Sequence, residues 1–347
     1  MDLLERISLV NREPTEEIIT NNELSTLLQS VSTPRHYIGL EISGELHLGS
    51  LVLTGFKIND LIKAKFHTII FLADWHTYIN NKLDSDWEKI KMISHYYTDA
   101  FKFFCPGVNI ILGSDLYSSS DDYWKNFMEF SKHMTLARTL RSLTIMGRNE
   151  KDHLDFSQFL YPAMQASDIH ELELDLVHAG TDQRKIHMLV REIFPKLHWK
   201  VPVCLHHHLL PGLVEPVTLG ITEDNSEDLR ISSKMSKSKP MEGIFIHDDN
   251  KTIENKIKKS FCPEGIVKNN PILEIIRYVV FHEYTDFTIE RSAKYGGNIS
   301  YNSYTQLEKD YADKLVHPAD LKQATTLYLC KLIEPIRNHF KGREPSF

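Results

Sequence analysis

A chain of 347 residues, 41% hydrophobic and 25% charged, is long enough to bury two cores and has the make-up of an ordinary globular protein. Its formal charge of −7 is the wrong sign for a surface that binds nucleic acid throughout; its acidic start, Met1-Asp2-Leu3-Leu4-Glu5-Arg6, lacks the apolar run of a signal peptide, and no stretch is apolar for the length of a membrane span. Four scattered cysteines, Cys105, Cys204, Cys262 and Cys330, show no Cys-x-x-Cys spacing, which argues against a disulfide framework or a zinc site and points to the reducing cytoplasm.

In chain order, Thr20-Asn21-Asn22-Glu23 followed by Leu24, Leu27 and Leu28 reads as a capping box opening a helix. Short apolar runs bounded by polar residues or glycine follow at 37–40, 68–73, 108–112, 174–177 and 201–205, as in buried parallel strands. Helical stretches lie between and beside them at 51–64, 86–104, 123–148, 161–172 and 184–193. The alternation predicts an α/β fold, a Rossmann-like parallel sheet with helices on both faces, and such sheets bind ligands beyond the C-terminal ends of their strands. The region from about 115 to 160, which contains Ser118-Ser119-Ser120-Asp121-Asp122, reads as a helical insertion. After the linker 240–250 strand signals stop, and the rest reads as helical with punctuation at Pro263, Pro271, Gly296-Gly297 and Pro318. Two domains are therefore expected, 1–240 and an all-helical 241–347, with no internal repeat or low-complexity tract.

Two motifs far apart in this pattern carry chemistry. In Tyr37-Ile38-Gly39-Leu40-Glu41-Ile42-Ser43-Gly44-Glu45-Leu46-His47-Leu48-Gly49-Ser50 a strand runs through a glycine-bearing turn into a helix. His47 and Gly49 then stand at a helix start, where free backbone N–H groups and the positive dipole end favour phosphate. Gly49, without a side chain, lets a base or ribose lie close to the backbone. Lys234-Met235-Ser236-Lys237-Ser238, between Thr222-Glu223-Asp224-Asn225-Ser226 and Lys239-Pro240, reads as a mobile loop carrying two point charges. In this order the two strings resemble the nucleotide signatures of class I aminoacyl-tRNA synthetases; Ser50 stands where that family usually has His or Asn.

Further blocks narrow the resemblance to tyrosyl-tRNA synthetases of the archaeal and eukaryotic cytoplasmic type, over essentially the whole chain. They are Tyr37-Ile38-Gly39-Leu40-Glu41, Leu72-Ala73-Asp74-Trp75-His76, Tyr161-Pro162-Ala163-Met164-Gln165-Ala166-Ser167-Asp168-Ile169-His170 and Gly180-Thr181-Asp182-Gln183-Arg184-Lys185-Ile186-His187, with His317-Pro318-Ala319-Asp320-Leu321-Lys322 and Glu334-Pro335-Ile336-Arg337 near the end. On residues alone, Tyr161, Gln165 and Asp168 share one helix face, and such a face is more often core than site. The resemblance implies that Tyr37 and Asp168 contact the phenolic hydroxyl of tyrosine, that Tyr161, Gln165 and Gln183 surround its ammonium group, and that Phe71, His76 and Leu172 form the pocket wall. It assigns ATP to Gly39, Glu41, His47, Gly49, Ser50, Met235 and Lys237. Catalysis falls to His47 and Gly49 at the phosphates and nucleoside, and to Lys237, helped by Lys234, at the departing pyrophosphate.

The implied reaction joins tyrosine to ATP as the adenylate and then to tRNA. Magnesium arrives on the nucleotide, and no protein-bound metal is expected. His206-His207-His208 points alternately to opposite faces of an extended segment and reads as a polar strand end rather than a ligand set. The resemblance makes 241–347 the anticodon-binding domain, with His317, Pro318 and Asp320 at the first anticodon base, although Asp320 equally suits the first turn of a helix. It also implies a homodimer and, with the chain ending at Phe347, a minimal form without an appended RNA-binding module. Candidate RNA contacts are Arg138, Arg141 and Arg148, the pair Arg184-Lys185, Lys251, Lys256, Lys258 and Lys259, and Arg337, Lys341 and Arg343; each is more often a solvated face. Three alternatives stay open: a tryptophanyl-tRNA synthetase, a small nucleotidyltransferase, and a non-catalytic RNA-binding paralogue.

Overall fold

The computed structural model describes residues 1–148, 153–215, 231 and 233–345. Contacts divide the chain into two compact units, Met1–Gly44 with Lys57–His208, and Glu45–Phe56 with Leu209–Phe347. The short segment carrying His47 is thus grouped with the second half of the chain, and the division does not follow a single boundary at 240.

The first unit is built on six strands: β1 (Thr15–Ile19), β2 (Arg35–Leu40), β3 (His67–Leu72), β4 (Asn109–Leu112), β5 (Leu176–Gly180) and β6 (Val203–His207). Their order is β1-β6-β5-β2-β3-β4. All neighbours are parallel except β1, which runs antiparallel to β6. The chain moves outward from β2 to β4 and then returns to the other side of β2 for β5 and β6. That reversal leaves a crevice at the carboxyl ends of β2 and β5, where open α/β sheets place ligands. β1 carries no strand signal because Glu16 and Glu17 interrupt its apolar pattern; as an edge strand it has room for both, and each meets a histidine of the 206–208 run.

Period-two alternation gives each strand two buried faces. Ile69, Phe71, Val177 and Cys204 pack in one apolar cluster with Ile186, Val190 and Ile193 of the helix Arg184–Ile193. Leu176, Val203 and Leu205 pack in another with Leu24 and Leu28. These leucines belong to the helix Asn21–Ser30, opened by the expected box: the Glu23 amide donates to Thr20 Oγ1 at 3.2 Å and the Thr20 amide to Glu23 Oε2 at 2.9 Å. The long helix expected at 123–148 is instead broken into Tyr123–Ser131, Leu136–Ser142 and a 3-10 turn Leu143–Met146. The break comes where Thr135 starts a new helix by accepting from the Arg138 amide.

In the second unit the segment around His47 pairs with 244–246: the Leu48 amide donates to the Ile244 carbonyl at 2.8 Å and the Ile246 amide to the Leu46 carbonyl at 3.1 Å. Helices follow at Asn250–Lys259, Tyr304–Ala312 and Pro318–Phe340. The all-helical expectation misses one antiparallel pair, β7 (Phe287–Ile289) with β8 (Ile299–Tyr301). Three-residue strands are too short for alternation to register, and the Gly296-Gly297 pair, both at positive φ, marks the turn between them. No helix among the described residues is long and apolar enough to cross a membrane.

Candidate active site

β2 ends in Tyr37-Ile38-Gly39-Leu40, and the Tyr37 side chain lies over its own strand: a Cβ at position 39 would lie 2.7 Å from the Tyr37 hydroxyl oxygen. Only glycine leaves that hydroxyl its place. Tyr37 packs on Phe71 of β3 with ring centroids 6.0 Å apart, and Phe71 in turn faces Tyr117 at 6.5 Å. The helix Tyr161–Glu171 carries Tyr161, Gln165 and Asp168 on one face toward this group. His76, on the helix Asp74–Ile79 after β3, touches Tyr161 edge-on at 4.5 Å. Its Nε2 stands 3.6 Å from Asp168 Oδ2, and its Nδ1 is 3.5 Å from the Tyr117 hydroxyl.

Asp168 is 1% exposed, and burial pushes its carboxyl well above the usual carboxylate range, opposed by hydrogen bonds from Tyr123 and Tyr117. The Tyr123 hydroxyl donates to Asp168 Oδ1 at 2.8 Å. His76 is held neutral by burial, its pKa lowered to about 3. From the same helix as Asp168, the Gln165 amide nitrogen donates to Gln183 Oε1 at 3.3 Å, and Gln183 donates to the Ile145 carbonyl at 2.6 Å. That leaves the buried Oε1 of Gln165 with no hydrogen-bond partner among the described residues, an acceptor suited to an ammonium group. Leu172, 3% exposed, packs in the same apolar cluster as Tyr37 and Phe71 just past the helix end. The tyrosine-pocket residues singled out in the sequence thus fall within one unit.

His47 opens a π-helical turn, Leu48–Leu53, in the second unit. Its Nδ1 accepts from the Gly49 amide at 3.1 Å and the Ser50 amide at 3.3 Å, while Ser50 Oγ accepts from the His47 amide at 2.9 Å. With the Leu48 amide on Ile244 and the Leu51 amide on the His47 carbonyl, the first four N–H groups are all occupied. The expectation of free backbone donors here is therefore corrected: the imidazole takes those of Gly49 and Ser50, and backbone carbonyls take those of Leu48 and Leu51. Ser50 has a role of its own, closing a reciprocal cap. Gly49 is needed by the same ring, since a Cβ there would lie 3.2 Å from His47 Cε1.

His47 is 7% exposed, and burial, reinforced by Lys237 and then Lys234, lowers its pKa to about 3. A neutral imidazole whose Nδ1 accepts carries its proton on Nε2. His47 is thus a neutral N–H donor.

The lysine motif is pinned rather than wholly mobile. Met235 is buried, its amide donates to the Leu210 carbonyl at 2.7 Å, and Lys234 bridges to Pro211. Met235 packs so close to Gly243 that a Cβ there would come within 2.9 Å of Met235 Cγ. The flanking Thr222-Glu223-Asp224-Asn225-Ser226 lies outside the described residues.

His317, Pro318 and Asp320 form a separate start, that of the helix Pro318–Phe340. His317 Nδ1 accepts from the Ala319 amide at 3.1 Å, Pro318 occupies the first position, and Asp320 sits in the first turn. Several basic candidates are tied down internally: Arg138 to Glu192, Arg148 to Asn80, Arg184 to Glu17, Lys256 to Asp248 and Arg337 to Asn250. The 206–208 histidines divide between sheet faces, His206 meeting His187 and Glu17, and His207 meeting His178. Among the described residues no group of three or more His, Cys, Asp or Glu could hold a metal ion.

Sequence reasoning missed Tyr117, Tyr123 and the buried hub Asn80, whose amide nitrogen donates to Glu41 Oε1 at 2.6 Å and whose oxygen accepts from Arg148 at 3.1 Å. A signal for Tyr123 existed. Tyr123, Phe127 and Phe130 recur at helical spacing and all are buried, and the hydroxyl of a tyrosine in such a stripe needs a partner.

A sequence model of class I tRNA synthetases (W and Y) matches residues 30–333. Over its whole length the chain is similar to tyrosine–tRNA ligases. It is 43% identical to that of Thermococcus kodakarensis over 365 aligned residues, covering 99% of this chain and 97% of the relative, and 40% identical to that of Saccharolobus solfataricus, covering 100% and 95%. The crystal structure of tyrosyl-tRNA synthetase from Pyrococcus horikoshii, complexed with L-tyrosine, superposes with a TM-score of 0.92 at 40% identity over 99% of this chain and 97% of that one. Tryptophanyl-tRNA synthetase from Plasmodium falciparum gives 0.68 at 18% identity over 99% and 88%, a likeness of fold alone.

Proposed function

The chain belongs to the tyrosine–tRNA ligases, within the class I tRNA synthetases of the tryptophan and tyrosine group, and from that premise we propose how its own residues divide the reaction. The carboxylate of tyrosine attacks the α-phosphate of ATP, forming tyrosyl-adenylate and releasing pyrophosphate. The terminal ribose hydroxyl of tRNA then attacks the adenylate carbonyl, and AMP leaves. Neither step needs a protein nucleophile, so rate comes from positioning and from stabilising charge on the phosphates.

The first unit selects the amino acid. Asp168 accepts from the substrate phenol and Tyr37 donates to it, so a phenylalanine side chain would leave two buried groups unpaired; rejection on this principle is the familiar worked case for tyrosine-specific synthetases. Gln165 Oε1, with Tyr161 and Gln183, receives the ammonium group. Phe71, His76 and Leu172 enclose the ring.

The second unit acts on the nucleotide. His47 donates its Nε2 proton to a phosphate oxygen as a neutral group, so its contribution is insensitive to pH over the physiological range. Lys237, with Lys234, meets the negative charge that grows as pyrophosphate departs. We assign Gly39, Glu41, Gly49, Ser50 and Met235 to the ATP site as binding or supporting residues. Magnesium enters with ATP, held by phosphates and water. Anticodon recognition falls to the 241–347 region, with His317, Pro318 and Asp320 at the first anticodon base. The enzyme works in the cytoplasm as a homodimer; Trp124 and Met128, exposed one turn apart, and Leu136 offer an apolar face to a second copy.

The observation that carries the amino-acid choice is the buried Asp168, supported by hydroxyl donors beside Tyr37. Amino-acid-dependent exchange of pyrophosphate into ATP tests it. Tyrosine should support exchange and tryptophan and phenylalanine should not; strong exchange with tryptophan would sink the tyrosine pocket.

A further inference from the structure

Asp168 has to accept a hydrogen bond from the substrate, yet its surroundings work against its charge. Burial raises its pKa, and the carboxylates of Asp74 and Glu171 add to that push. A protonated Asp168 would present a donor hydrogen in place of a lone pair, and the distinction between tyrosine and phenylalanine would weaken. What opposes this is local. Tyr123 donates to Oδ1 at 2.8 Å and also reaches the Met164 carbonyl at 3.3 Å; a hydrogen bond from Tyr117 acts in the same direction. The facing imidazole of His76 is neutral, and at 3.6 Å from Oδ2 it lies beyond hydrogen-bond reach.

Tyr123 itself is held rigidly. It lies fully buried on the helix Tyr123–Ser131, with its ring 4.4 Å from Tyr117 and 5.2 Å, edge-on, from Trp124. Oδ1 is committed to Tyr123, while Oδ2 stands 3.6 Å from His76 Nε2.

We propose that Tyr123 is a positioning residue for tyrosine selection, its hydroxyl fixing Asp168 Oδ1 so that the carboxylate keeps its acceptor form and turns Oδ2 to the substrate phenol. This rests on the tyrosine pocket described above. The bond to a charged acceptor acts on ground state and transition state alike, so it governs tyrosine binding rather than turnover.

Tyr123→Phe keeps the ring and removes only the oxygen. In tyrosine-dependent pyrophosphate exchange from about pH 5.5 to 8.5, KM for tyrosine should rise on the order of tenfold, with kcat within about twofold. Loss of the donor raises the Asp168 pKa further, so the acceptor form disappears at higher pH, and the acid limb of kcat/KM should move up by about one pH unit. The preference for tyrosine over phenylalanine should fall by the same factor as KM rises. An acid limb at the parent's pH, or equal losses for the two amino acids, would overturn the proposal and make Tyr123 a packing residue. Asp168→Asn provides a second arm, because the amide is isosteric and cannot titrate: it should remove the acid limb and make added Tyr123→Phe nearly silent. A full additional loss in the double variant would also overturn the proposal. Absence of tyrosine-dependent exchange in the parent would instead overturn the pocket reading itself, and the proposal with it.

Discussion

In the sheet unit, Tyr37, His76, Tyr123, Tyr161 and Asp168 are all buried and largely occupied with one another; in the second unit Lys234 and Lys237 are half-buried on a loop anchored by Met235, and His47 is fixed by backbone amides. The first arrangement suits discrimination, because each buried polar group left unpaired by a wrong ligand is costly. The second suits charge stabilisation. Fixed cations and one neutral N–H donor cost no reorganisation when phosphate charge shifts. The two units therefore predict different kinetic signatures when disturbed.

The largest effect is expected where discrimination is concentrated. Asp168→Ala should lower kcat/KM for tyrosine by roughly 1.5–3 kcal/mol, on the order of 10- to 150-fold, by removing a charged acceptor from a buried site. Exchange kinetics with tyrosine and phenylalanine check this, and an unchanged constant for tyrosine would make Asp168 structural. Lys237→Ala should slow single-turnover adenylate formation on the order of 100-fold, the scale of a lost donor to developing charge. A rate close to the parent's would remove the lysine from the chemistry.

Much of this contrast was legible in the sequence. The βα alternation gave the sheet, with the helices 161–171 and 184–193 nearly to the residue, because long buried periodic segments leave a strong signal. β1 was hidden because its two glutamates find partners only after β6 is formed, and Glu17 meets His206 across 189 positions of the chain. The lysine string was visible, but nothing in it revealed that Met235 is buried and anchors the loop. At His47 the motif was plain and its mechanics were not: that the ring, rather than a ligand, takes the Gly49 and Ser50 amides depends on a side-chain rotamer that spacing cannot specify. Tyr123 was read only as part of a helix, since the partner of its hydroxyl lies 45 positions away.

A smaller effect concerns the pH dependence of stability. In the sheet unit His36, His178, His187, His206 and His207 are buried, and burial is the largest cause lowering each pKa, to about 3 for His36 and about 4 for His207. They face Lys57, Glu17, Arg184, Asp182, Glu16 and one another. Glu17 pulls His206 upward through a direct hydrogen bond, and the charge of Asp182 acts in the same direction. A group whose folded pKa lies below its unfolded value stabilises the fold above the unfolded pKa and loses that contribution as pH falls toward the folded one. Stability should accordingly be flat above about pH 7 and fall below about 6.5, by up to about 1.4 kcal/mol per pH unit for each histidine that stays neutral only when folded. Urea midpoints at a series of pH values check this, and a flat profile down to about pH 5 would contradict it.

The smallest effect is expected at the 318–340 helix start. Asp320→Ala should leave tRNA-independent exchange nearly intact while reducing tRNA charging, with the loss depending on the first anticodon base more than on salt. If the variant still separates transcripts that differ at that base as well as the parent does, Asp320 is only a first-turn acid.

The division of labour itself is tested by tyrosine affinity in the absence of ATP, measured by calorimetry on the parent, Asp168→Ala and Lys237→Ala. Asp168→Ala should bind tyrosine on the order of tenfold or more weakly, and Lys237→Ala should bind it as the parent does. Equal weakening in both variants would contradict the account, because the lysine loop would then hold the amino acid rather than act on the phosphates.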